Sequence, residues 1–187
     1  MLQLLNNKYL LYFLSFVILF SYFVGFLIGE NSAGAGGYSG DLQHTWKNLQ
    51  TFKNNSFLHA IEITGKTDSH LDNENYFQGT RPPLIYIIQA LNPLNFSIKS
   101  YLINVFCLSL FAYVLFYKVI KLYFIDLKKI YIFSLSCILL LSPYFRTSSY
   151  WGLEENYAII SALITAIFFN NFLKKKNLYK KNIFLII

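Results

Sequence analysis

Tyr9 to Gly29 reads YLLYFLSFVILFSYFVGFLIG, twenty-one residues without a single charge. At 1.5 Å per residue such a run covers about 31 Å as a helix, enough to cross a hydrocarbon core of about 30 Å. The rest of the 187-residue chain has the same character: 55% of residues are hydrophobic and 13% are charged. Both figures lie outside the range of ordinary soluble domains and predict a membrane protein. Aromatic residues make up 19%. They are spread so evenly, alongside Lys, Asn and Ile, that no single Phe identifies a contact.

Working outward, a second span is expected over 100–124, with Lys118 and Lys121 near its end able to snorkel. A third is expected over 130–143 and a fourth over 156–172; both are short for a full crossing. Residues 183–187 begin another apolar run, so the expectation is the amino-terminal part of a longer polytopic protein. The predicted fold class is all-α: about four transmembrane helices, the start of a fifth, and a long outer loop over 30–98 bearing amphipathic juxtamembrane helices. Cys107 and Cys137 both fall inside apolar runs, where cysteine acts as a small buried hydrophobe.

The net charge of +7 invites a nucleic-acid reading. The basic residues instead form short clusters between spans, so nucleic acid is excluded as an expected partner. Lys118, Lys121, Lys128 and Lys129 surround one connection, and Lys174, Lys175, Lys176, Lys180 and Lys181 fill the 173–182 connection. Short Lys-rich connections stay in the cytoplasm. Of the nine acids, Glu30, Asp41, Glu62, Asp68, Asp72 and Glu74 lie in the first outer loop, and Glu154 and Glu155 in a second at 144–155. Span count and charge rule together place the amino terminus inside and both acidic loops outside. Ala33-Gly34-Ala35 has the small-x-small form of a signal cleavage site, but the apolar run exceeds the about 7–15 residues of a signal core. A retained anchor is expected.

In the first outer loop, glycines at 34, 36, 37 and 40 permit a sharp turn ahead of Asp41. Leu42, Trp46, Leu49 and Phe52 recur at helical spacing, which predicts a short amphipathic helix along the membrane surface with Trp46 at headgroup depth. Asp41 then has an ordinary explanation as its N-cap. The same carboxylate, at the mouth of the first span, is also placed to meet a substrate arriving from the lipid. Residues 64–80 are polar and aperiodic, a surface loop. His59, His70, Asp68, Asp72 and Glu74 match neither a calcium nor a zinc spacing, so no metal and no cofactor is expected.

Arg81-Pro82-Pro83 presents the arginine on extended backbone before a helix predicted over 84–91. Arg81 either anchors in lipid headgroups or binds phosphate through its fork. In the second outer loop, aromatics at 144, 145, 150 and 151 hold the chain at the interface. Glu154 and Glu155 gain from the dipole of the fourth span, and Arg146 is near enough in sequence to pair with them.

GYSGDLQHTW after span one, TRPPLIYIIQAL before span two and SPYFRTSSYWGLEEN between spans three and four together resemble the GT-C membrane glycosyltransferases. The nearest kind is the polyprenyl-phosphate-sugar-dependent one that includes protein mannosyltransferases and lipid A aminoarabinose transferases. The likeness covers nearly all of this chain, and the first part of such an enzyme. It implies that Asp41 is the general base on an acceptor hydroxyl, that Glu154 or Glu155 fills a second acidic position, and that Arg81 or Arg146 contacts the lipid phosphate. Many relatives carry two adjacent acids in the first loop; here Gly40 and Leu42 flank Asp41. The implied partners are membrane lipid, a polyprenyl-phosphate-sugar donor and an acceptor of unspecified identity, in a bacterial inner or plasma membrane. A polysaccharide polymerase or ligase, or a non-catalytic transporter component, are the competing classes. Transporters carry ionisable or broken helices at mid-depth, which the spans as read lack.

Overall fold

The computed structural model of the chain describes residues 7–30, 38–65 and 83–184. Among these, helices account for nearly all regular structure and no strand occurs. Helix α1, Lys8–Ile28, starts where the Asn7 side chain accepts from the backbone N–H groups of Tyr9 and Leu10, and stops at Gly29 in the left-handed region. After it in the chain come three shorter helices: α2, Tyr38–Asn54, α3, Phe57–Gly65, and α4, Pro83–Leu91. Helix α5, Ile98–Tyr123, opens with a reciprocal cap between Ser97 and Ser100. Helix α6, Lys129–Cys137, tightens into a 3-10 turn at Ile138–Leu141, and α7, Pro143–Tyr150, follows at 67° to it. Helix α8 is Glu155–Phe184.

Helices α1, α5 and the first twenty residues of α8 are long and apolar enough to cross a membrane, and α6 with α7 makes a fourth, broken crossing or a re-entrant segment. Many large apolar side chains on α1, such as Phe13, Phe16 and Phe20, are exposed, as helices facing lipid require. The inner seam is a mixture of aromatic packing and small polar contacts. Tyr22 of α1 stacks on Phe106 of α5 and Phe145 of α7 and shares a 2.6 Å hydrogen bond with Ser109. Ser15 donates to Ser134 of α6 at 3.0 Å. Small hydroxyl residues let helices approach closely in lipid and satisfy each other there.

These contacts also fix direction. Residues 15 and 21 of α1 meet 134 and 146, so α1 and the α6–α7 pair run the same way. Tyr22 meets Ser109 while Tyr113 meets Cys137, so α5 runs against them. One end of the bundle gathers Glu30, the start of α5 and residues 151–155: the Trp151 indole donates to the Glu30 carbonyl, and the Tyr101 hydroxyl to that of Gly152. The chain's alternation puts Lys8, Lys118, Lys121, Lys128, Lys129 and Lys174 at the other.

Several expectations need correction. The segment read as an outer loop at 144–155 holds α7, whose residues Phe145 to Tyr150 are buried. The helix after span one is longer than its apolar period implied, and its apolar face packs on protein. Leu42 and Leu49 pack on Tyr101 and Val105 of α5, and Trp46 lies against the Tyr101 ring. The connection at 173–182 is helical, a continuation of α8 that also takes in Ile183 and Phe184. Residues 66–82 and 31–37, with the loop, the cleavage-like site and Arg81, lie outside the described residues.

Candidate functional site

Asp41 stands in the first turn of α2, which begins at Tyr38, so it is not the N-cap the spacing implied. Its carboxylate still benefits from the helix dipole. One turn on, at the i,i+4 position that shares its helix side, is Thr45. Thr45 is 2% exposed, and its hydroxyl donates to Oε1 of Glu154 at 3.2 Å. The same Oε1 accepts from the hydroxyl of Tyr86 on α4. Glu154, at the head of α8, therefore joins three segments far apart in sequence, and one of them carries Asp41. Glu155 accepts instead from Ser148 of α7, at 3.2 Å.

Arg146 does not pair with either of those acids. It projects from α7 toward α1, where Nη2 meets Oε2 of Glu30 at 2.5 Å and the Ser21 carbonyl at 2.9 Å. Nη1 donates to the Ser21 hydroxyl and the Leu140 carbonyl. The guanidinium carbon lies 5.9 Å from the Tyr22 ring centre and 5.6 Å from that of Tyr150. A buried arginine with these partners is neutralised and held.

This arrangement needs Gly25. A Cβ there would come within 2.7 Å of Arg146 Nη2 and of the Tyr150 hydroxyl, and closer still to the Glu30 carboxylate. Neither Glu30 nor Gly25 was singled out by sequence reasoning. The available signal was a lone glycine in a run of bulky residues, followed five positions later by the first acid after the span.

Beside the pair, the flank of the bundle holds an apolar groove of about 530 Å³. Phe26 and Ile28 of α1 form one wall and Leu102 and Ile103 of α5 the other, with Leu42 and Trp151 at its head. Lys99, an exposed residue in the first turn of α5, also lines it and has no hydrogen-bond or ion-pair partner among the described residues. Leu42 is the chain neighbour of Asp41. The groove thus combines apolar walls, the Lys99 ammonium and a residue of the helix bearing the candidate base. No group of three potential metal ligands occurs among the described residues; His59 and Glu62 of α3 face each other at 3.8 Å on the surface.

Compared with protein-family models, with curated proteins and with solved structures, the chain matches none of them.

Proposed function

We propose that this is a membrane glycosyltransferase that moves a sugar from a polyprenyl-phosphate donor to an acceptor hydroxyl, on the extracytoplasmic side of a bacterial inner or plasma membrane. The observation that carries the reading is the groove: apolar side chains of α1 and α5 line it together with Lys99 and with Leu42, the residue next to Asp41. An isoprenoid tail suits its apolar walls, and the phosphate suits Lys99, with Arg81 as the second expected cation. Arg146, held by Glu30, is left a structural role. In the transfer, the acceptor O–H gives its proton to the Asp41 carboxylate as the new O–C bond forms at the sugar's anomeric carbon. The anomeric C–O bond to phosphate breaks, and the electron pair leaves with the polyprenyl phosphate, whose charge Lys99 offsets. The lysine-rich end faces the cytoplasm under the charge rule, with the amino terminus.

A second reading, a transporter component, draws on the 67° break ahead of buried Arg146, since broken helices line many transport paths. Asp41→Asn separates the two. In membranes carrying the full-length protein, the glycosyltransferase reading expects sugar transfer from a polyprenyl donor to fall by about 10²-fold or more, the scale of a lost general base, with unchanged membrane insertion. Full activity in that variant rules it out.

A further inference from the structure

We propose that Glu154 is a positioning residue: by accepting from Thr45 and Tyr86 it clasps α2 and α4 to the head of α8 and seats the Asp41 turn over the groove. Assigning this to catalysis rests on Asp41 being the base; the clasp itself rests on geometry alone. The two hydroxyls converge on the same oxygen, one from each of two outer helices. Each is brought there by burial: Tyr86 is 3% exposed and stacks near Phe52 of α2, so the helices are already packed on one another.

The far half of α2 has its own attachments. Leu49 is fully buried against α5, Lys53 reaches the Asn95 carbonyl, and Asn95 is bonded to both Gln89 and Asn104. The near half, 38–45, packs on α5 through Leu42 and is tied to the head of α8 by the Thr45–Glu154 bond. Removing the carboxylate then frees Asp41's turn and leaves the rest of the outer layer docked. A helix end that loses one of its ties can open locally without global unfolding.

The reporter is Leu42→Cys, since Leu42 is 8% exposed and borders both Asp41 and the groove. Its labelling by a membrane-impermeant maleimide is measured on the full-length protein in sealed vesicles of outward orientation. Cys107, exposed within α5, and Cys137, buried at the end of α6, are replaced by serine or shown not to react. Glu154→Ala is expected to speed labelling about tenfold, the measure of a lost local clasp. Glu154→Gln keeps an oxygen that accepts from both hydroxyls and should stay within about threefold of the parent. Thr45→Val and Tyr86→Phe, which each remove one donor, should fall between.

Sugar transfer by Glu154→Gln should exceed that of Glu154→Ala, with the difference in kcat rather than in donor KM. Equal labelling of the Ala variant and the parent overturns the clasp, and so does a Gln variant that labels as fast as Ala. Failure of the glycosyltransferase reading would appear separately, as unaltered transfer in Asp41→Asn, while the labelling arms still decide the clasp.

Discussion

Arg146 shows how a single charged residue can be kept inside an apolar bundle. Its guanidinium is only 9% exposed and its counter-charge Glu30 is 30% exposed, so the pair spans the step from buried to wet. Bringing two charges out of water costs several kcal/mol, which the attraction returns only if both stay in place. The asymmetric consequence is testable. Glu30→Gln should lower stability in detergent by about 3 kcal/mol, because a buried cation is left without its anion, whereas adding Arg146→Met to it should restore part of that loss. Thermal unfolding of the purified protein, followed by intrinsic fluorescence, measures both; equal stability of parent and Glu30→Gln would mean the pair is solvated. Sequence reading found the arginine but assigned its partner by proximity along the chain, to Glu154 or Glu155. The true partner lies 116 positions away, brought near by the parallel run of α1 and α7. Nothing local in SPYFRTSSYWGLEEN encodes that approach.

At the scale of elements, α7 and the turn after it set where Glu154 points. Ser142 caps α7 by accepting from Phe145 N–H, Pro143 occupies its first turn, and the helix ends at Tyr150, with Trp151 as its C-cap and Gly152 next at φ of 68°. A Cβ on Gly152 would also lie 2.6 Å from Tyr101 Cε1, so the position needs glycine on two independent grounds. Gly152→Ala is therefore expected to cost about 3 kcal/mol, from left-handed strain and overpacking together. Gly40→Ala, where a Cβ in α2 meets nothing within 4 Å, should be neutral or slightly stabilising by the usual helix preference. Detergent melting curves that shift alike for the two would remove this account of the 151–155 turn. The membrane helices were legible because a long apolar run has few alternatives in sequence. α7 was not: RTSS is polar and reads as loop, while the partners that bury it are Ser21 and Tyr22 of α1 and Glu30 just after that helix. The period of 42, 46, 49 and 52 likewise gave a helix correctly, but an apolar stripe alone cannot say whether lipid or protein covers it.

For the whole molecule, the alternation of α1, α5, the α6–α7 pair and α8 collects Glu30, Asp41, Glu154 and Glu155 at one end and most described lysines at the other. Lys47, Lys53, Lys99 and Arg146 share the acidic end, where Lys53 bonds the Asn95 carbonyl and Arg146 pairs with Glu30. The proposed orientation, with the lysine end in the cytoplasm, follows the charge rule: moving an ammonium group into hydrocarbon costs about 2.5–3.5 kcal/mol even by insertion-based scales. Three exposed positions report the two ends: Asn55 after α2, Asp126 between α5 and α6, and Lys174 on α8. Single cysteines at 126 and 174 should be shielded from an impermeant maleimide in intact cells and react after permeabilisation, while a cysteine at 55 should react in intact cells. Reaction at 55 and 126 from the same side would contradict the alternation itself. Reaction of 126 and 174, but not 55, in intact cells would keep the bundle and invert it, moving the groove's head and Asp41 to the cytoplasm, where an acceptor on the extracytoplasmic side has no access to them.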